Sequence, residues 1–523
     1  MTLNLKSTIL IFCLAVLFFY WGLGVRPMDK VQEIRVAETA MVMAQTGEWL
    51  IPYYNGELRL RKPPLAYWLT ALSYKAFGTI DEFAARFISA SFAVLTSLLL
   101  FFWANKTLGT RSATSIAICF VSSYIALRYF RSAETDSVLL FFVVASCLIG
   151  YQILYERLSL ARVLLLHLCM GLGFLTKGPA AIVIPLLLIL IATIKDRRLH
   201  LWRKILHPVG VLILLVTAFS WYAFIFYTLP DQAHSIVGTE VDATYITGRH
   251  ANPVYFYIPR IFIYFLPWSV FIIPAAIWLY KTRPHPPLVN YAIIWFGLTF
   301  VILSVNVNKQ IQYALLLTPP LMILIGHYLS VSAAKFAAAN RIIFITVLAL
   351  AVMLLIAVIA KWGDASGIGL VRVALLVAGC LLPFALAKLL NYEGSFHYRE
   401  LLLAGIIAAC WIYGQRQWYN APDQDGAQIK QFTQQAKAYS PLFIYEQQNS
   451  RVSFYAGRIV PEITDSRKFP QLVDSLGVLY LVVRADASAW DARAMSTITA
   501  TKLASNNKLI LWKLTRKNYT AAP

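Results

Sequence analysis

Acidic residues are scarce in this 523-residue chain: 25 Asp and Glu stand against 46 Lys and Arg. Charged residues of both signs make up only 14% of the sequence, hydrophobic residues make up 59%, and the mean hydropathy is +0.63. So little charge with so much apolar content excludes an intrinsically disordered chain and a soluble enzyme of the Rossmann type. Cysteine is also scarce. Its six copies, Cys13, Cys119, Cys147, Cys169, Cys380 and Cys410, all fall inside apolar runs without CxxC spacing, so neither a disulfide-stapled secreted module nor a cysteine metal site is available. There is no internal repeat and no low-complexity tract. What remains is a polytopic α-helical membrane protein. A net charge of +21 suits nucleic acid, anionic lipid or the positive-inside signal, and the positions of the basic residues decide for the membrane. Nucleic acid is not an expected partner.

The first apolar run, 8–25, lacks a small-residue cleavage site and reads as a retained span. Twelve further runs of spanning length lie near 84–104, 112–127, 136–154, 163–176, 179–194, 205–228, 259–280, 288–305, 311–328, 342–360, 370–387 and 400–414. An odd total of thirteen puts the termini on opposite sides. Basic residues collect in alternate loops, at Lys106 and Arg111, Arg157 and Arg162, the cluster from Lys195 to Lys204, Lys281 and Arg283, and Lys335 and Arg341. These loops mark the cytoplasm. The N-terminus is then cytoplasmic, and the segment 29–83, the loop 229–258 and the tail face outward. The sequence divides at about 414: a transmembrane domain over 1–414 with a first outward loop at 29–83, then a small α/β domain over 415–523. In the tail, short β-rich runs at 442–445, 478–483 and 509–514 alternate with polar helical stretches such as 426–438.

Positive-inside bias leaves outward loops poor in Lys and Arg, yet these loops hold Arg35, Arg59, Arg61, Lys62, Arg128, Arg131, Lys177, Arg249 and Lys309. Snorkelling to headgroups accounts for some of them. A lipid-linked phosphate is the natural partner for the set. The densest group is the first loop. There Asp29 stands three residues before Gln32 as a cap with its capping-box partner, and Ile34, Ala37, Met41 and Ala44 give one apolar face, as for a helix lying in the interface over 31–46. Arg35 and Glu38 are spaced to pair. Asn55 and Gly56 make a turn, Lys62-Pro63-Pro64 is a rigid basic elbow, and a second short helix covers 65–77.

These motifs in this order resemble the GT-C glycosyltransferases related to the protein O-mannosyltransferases and the lipid A aminoarabinose transferases. The resemblance rests on an acidic residue, an Arg and a Glu at a helix start, Glu33, Arg35 and Glu38, then GEWLIP, then NGE followed by KPPLAYW. It continues through Arg131 and Asp136 at the head of a span, Lys177-Gly178-Pro179, His250-Ala-Asn-Pro253, and Ser304 followed by Lys309, Tyr313 and Pro319-Pro320. It implies a GT-C fold in a bacterial inner membrane, with the C-terminal domain in the periplasm. It further implies a polyprenyl-phosphate (undecaprenyl-phosphate) sugar donor and a lipid A, glycan or protein acceptor, with membrane lipids as the surroundings.

Such transfer needs a carboxylate to take the acceptor's proton, cations or a metal on the phosphate leaving group, and a groove for the prenyl chain. Glu33 and Asp136 are the candidate carboxylates. Lys62, Arg35, Arg61, Lys309, Tyr313 and Arg131 are candidates for the donor phosphate, and Tyr53, Tyr54, Tyr67, Trp68 and His250 for the substrate groove. Lys309 and Tyr313 lie four residues apart, on one helical face, although Tyr313 suits an interfacial belt equally well. Asp136 also suits a helix cap.

Two positions depart from the family. Gln32 replaces the Asp of an Asp-Glu pair, and Arg61 replaces the acid before KPP. Either Glu33 acts as the base, or Asp136 does, or the chain is inactive. With two acids lost, no obligatory tightly bound metal is expected, although a divalent cation would still suit the leaving phosphate. A transporter or flippase for a lipid-linked sugar and an inactive binding subunit are the rival readings.

Overall fold

The computed structural model describes residues 5–28, 30–241, 250–331, 345–346, 403–406, 425–445, 450–485 and 497–517. The expected span at 370–387, and nearly all of those at 342–360 and 400–414, lie outside the described residues, as does Asp29. Six described helices are long and apolar enough to cross a membrane, or seven if one bent pair counts as a span.

The helices run in chain order: α1 (Leu5–Tyr20), α2 (Val31–Thr46), α3 (Leu65–Phe77), α4 (Glu82–Leu108), α5 (Thr110–Ser122), α6 (Tyr124–Tyr129), α7 (Asp136–Tyr155), α8 (Leu160–Lys177) and α9 (Ala180–Lys195). There follow α10 (Trp202–Ile205), α11 (Pro208–Thr228), α12 (Pro230–Val241), α13 (Tyr257–Tyr264), α14 (Ile272–Lys281), α15 (Pro287–Val305) and α16 (Thr318–Val331). Most of the sequence expectations meet a helix here, and α2 and α3 match theirs to the residue. The apolar stretch 259–280 is not straight, however: its two halves are bent by 109° across a break at Leu266-Pro267. The stretch 112–127 is likewise two helices, α5 and α6, meeting at Ser123.

The chain forms two compact units. One comprises residues 1–23, 60–66 and 86–414, the other 24–59, 67–85 and 415–523. In the first, helices pack through small residues. Gly326 of α16 lies so close to α5 that an added Cβ would stand 2.6 Å from the Ile116 backbone nitrogen and Cα, which is the close approach that membrane helices use where lipid leaves them no hydrophobic drive.

In the second unit, α2 starts at Val31 after an extended Lys30 with no side-chain cap, so the expected Asp29 cap is not the observed start. Nor does α2 lie on the surface: Glu33, Ile34 and every residue from Val36 to Met43 are buried. Asn55 and Gly56, both at positive φ, close a hairpin between β1 (Tyr53–Tyr54) and β2 (Glu57–Leu58), the Asn-Gly turn chemistry that matches strand twist.

The tail carries α17 (Asp425–Ala436), α18 (Ser450–Ala456) and α19 (Phe469–Leu476) with β3 (Leu442–Tyr445), β4 (Glu462–Ile463), β5 (Val478–Arg484), β6 (Ile498–Ser505) and β7 (Leu509–Arg516). The sheet order is β4-β3-β5-β7-β6, parallel on the β3 side and antiparallel through β7. Leu479, Leu481, Val483 and Leu514 face α19 through Phe469 and Val473, forming a core. The three strands read from sequence are β3, β5 and β7. The two that escaped it are β4, only two residues long, and β6, whose outward positions are polar or exposed.

Candidate active site

In the first unit the polar cluster grows from two helix ends. α7 begins at Asp136 with Thr135 before it. α8 ends at Lys177, where Gly178 at φ +100 turns the chain into Pro179 and α9. Glycine is required there because that backbone region is strained for any other residue. These two ends bring Lys177 Nζ to 2.6 Å from Asp136 Oδ1, with both side chains largely buried. The same ammonium stands 5.0 Å from the centre of the Tyr313 ring, within cation–π range. Carboxylate, ammonium and phenol thus share one locus. Among the described residues nothing bonds the Asp136 carboxylate except Lys177, so Oδ2 remains able to accept a proton. Lys177 was legible as an outward cation in a KGP turn, but its pairing with Asp136 was not, because the two stand 41 residues apart.

None of the remaining candidates of this unit bonds to Asp136 or Lys177. Lys309 is buried, and its Nζ donates to the carbonyls of Asn252 (2.9 Å) and Asn306 (2.5 Å), so it ties two loops together. His250 is exposed and accepts the Lys309 N–H through its carbonyl. Arg131 is buried and donates to the carbonyls of Phe18 and Trp21 at the end of α1 (2.8 and 2.6 Å). Arg86 does the same for Leu23. These arginines satisfy backbone acceptors that a helix end leaves open. Lys62 is half-buried and Arg61 exposed on the turn before α3.

The second unit holds its own cluster. Glu33 is wholly buried and takes a two-pronged ion pair from Arg26, at 2.9 and 3.0 Å. Arg26 carried no motif in the sequence, and only the fold brings it to Glu33. Glu38 accepts the Asn55 N–H at 3.2 Å. Arg35 and Arg59 both stand against the Tyr54 ring, at 6.0 and 5.3 Å, and Arg59 Nε donates to the buried Tyr67 hydroxyl. Trp68 donates to the Trp49 carbonyl at 2.6 Å, and Tyr53 sits half-buried beside Tyr54 in β1. Among the described residues, no three His, Cys, Asp or Glu side chains gather to hold a metal ion.

Fold and cluster together define a multi-pass membrane protein with an ion-paired site at its helix ends. The family model for dolichyl-phosphate-mannose-protein mannosyltransferases matches residues 61–222. An uncharacterized protein of Aquifex aeolicus is 31% identical over 64% of this chain and 75% of its own length. The undecaprenyl phosphate-alpha-4-amino-4-deoxy-L-arabinose arabinosyl transferase 1 of Proteus mirabilis is 28% identical over 61% of this chain, and the match spans 59% of that enzyme. Among solved structures, ArnT from Cupriavidus metallidurans bound to undecaprenyl phosphate has the same fold, with a TM-score of 0.77 over 98% of this chain and 99% of that one at 21% identity. The chain belongs to the GT-C glycosyltransferases of the protein mannosyltransferase and aminoarabinose transferase superfamily.

Proposed function

We propose that this protein is a glycosyltransferase of the bacterial inner membrane. It takes a sugar from an undecaprenyl-phosphate donor and passes it to a lipid A, glycan or protein acceptor on the periplasmic face. The observation that carries the reading is the Asp136–Lys177 pair beside Tyr313, a carboxylate with one oxygen engaged and one open, held at the ends of two spans. In this mechanism the acceptor oxygen attacks the anomeric carbon and the bond from that carbon to the donor phosphate oxygen breaks. Where the acceptor is a hydroxyl, Asp136 takes its proton. Lys177 keeps Asp136 oriented, and Lys62 is assigned the charge of the departing phosphate.

Of the two carboxylates, Asp136 suits the base better. Both Glu33 oxygens are held by Arg26 and the side chain is out of reach of solvent, whereas a base must come within hydrogen-bond reach of the proton it removes. Gln32 then matters less, because the proton acceptor does not come from the first loop.

The test is single-turnover transfer from an undecaprenyl-phosphate sugar by purified wild-type, Lys62→Ala and Asp136→Asn proteins, with donor binding measured separately. Lys62→Ala is expected to weaken donor binding and Asp136→Asn to slow transfer at unchanged donor affinity. Donor binding without turnover by the wild type, across several acceptors, would point instead to a binding subunit.

A further inference from the structure

The loop from Lys195 to Leu206 does more than carry charge. It joins the apolar helices α9 and α11, so it lies at a membrane surface whichever side that is. It is folded back on α7 rather than left loose. Asp196, its only acid, accepts the Tyr155 hydroxyl at 2.6 Å. Arg198 donates to the Leu154 carbonyl and stands over the Tyr155 ring. Trp202 Nε1 donates to Thr193 Oγ1 at 2.9 Å, and Ile205 is fully buried. Asp196 and Arg198 are engaged by α7, and Lys195, Arg197, His200, Arg203 and Lys204 are exposed, as is Arg198 itself. Leu199 stands among them and Ile194 and Leu206 flank them, each more than half exposed. Arg197 has φ +56, a region that a side chain enters at a cost and glycine enters freely. An arginine held there by the surrounding hydrogen bonds points to a use for its charge.

We propose that this loop is a preorganised binding surface for anionic phospholipid. The cations meet headgroup phosphates, and Leu199 and Leu206 enter the boundary of the acyl region. Charge complementarity selects the occupant, since five exposed basic side chains besides Arg198, with no free acid among them, suit phosphate, and bare leucines suit a bilayer rather than water. A loop serving only as a topology signal would need neither the folded scaffold nor the exposed leucines.

The experiment uses the full-length protein in mixed micelles containing phosphatidylglycerol or phosphatidylcholine, with retained lipid counted by native mass spectrometry and thermal stability followed in parallel. Arg197→Gln/Arg203→Gln/Lys204→Gln is compared with Lys281→Gln/Arg283→Gln/Arg157→Gln, which removes the same charge elsewhere. Retention of phosphatidylglycerol is expected to fall about fivefold per cation removed from the loop and to change little in the control. Arg197→Gly separates binding from folding: it should be at least as stable as wild type in detergent alone yet retain less phosphatidylglycerol. Equal losses in the loop variant and the control, or undiminished phosphatidylglycerol on Arg197→Gly, would overturn the proposal. So would displacement of the bound lipid by inorganic phosphate alone.

Discussion

A carboxylate that removes a proton must be charged, within reach of its substrate, and not already spent on a partner. Asp136 and Glu33 are both ion-paired, and the difference between them is in how many oxygens the partner takes. Asp136→Asn is therefore expected to lower the single-turnover rate by about 10²- to 10⁴-fold when donor and acceptor are saturating, and, because it leaves the largely buried Lys177 without its countercharge, to lower the melting temperature as well. Glu33→Gln is expected to differ at the chemical step. It leaves the buried Arg26 guanidinium without its countercharge, a defect worth about 3–5 kcal/mol, so its signature is a lowered melting temperature in detergent, with near-normal chemistry in the fraction that folds. A folded, stable Glu33→Gln enzyme with no transfer activity would return the base to the first loop. Arg131 and Lys309 were reasonable phosphate ligands as residue types. Each cation instead meets backbone carbonyls at a helix end or loop, a demand of the main chain that leaves no mark in the sequence.

At the scale of elements, the boundaries that sequence chemistry governs are the ones it placed well. The Asn55-Gly56 hairpin, the Lys177-Gly178-Pro179 corner and the helices over 31–46 and 65–77 each follow from local rules of turns and periodicity. Helix contacts are a tertiary matter. Gly326→Ala would drive a methyl group into the α5 backbone and is expected to cost at least about 1–3 kcal/mol, read as a drop in melting temperature. Gly297→Ala, which meets open space, serves as the control. A second element prediction concerns β4. Burial, and then the Glu57 charge, raise the Glu462 carboxyl above its ordinary range. A carboxyl raised in the folded state gives up its proton less readily than in the unfolded chain, so its contribution turns unfavourable as pH rises through that interval. Glu57→Gln is expected to move Glu462 titration back toward the ordinary value, observed by carboxyl NMR, and to flatten this small fall in stability above the carboxylate range. An unmoved Glu462 titration would exclude the Glu57 contribution.

For the whole molecule, the alternation of basic loops predicts a C-terminus outside the cytoplasm, so a phosphatase reporter fused after the tail is expected to be active and one fused within 195–204 silent. The reverse pattern would invert every assignment of a loop to the periplasm. Apolar runs, basic loops, turn dipeptides and the order of GEWLIP, KPPL and KGP motifs made the membrane class, the helix positions and the family legible from residues alone. These are properties of neighbours along the chain: each span must satisfy its own backbone in lipid, and each turn its own φ. Which cation faces which carboxylate was settled only by the fold. Lys177 meets Asp136 across 41 positions, and α5 meets α16 across some two hundred. The bend that breaks 259–280 was equally hidden, because hydropathy records how apolar a segment is and not the direction it takes. A buried ion pair forms where packing excludes water and brings two distant side chains into register, and no local pattern encodes that distance.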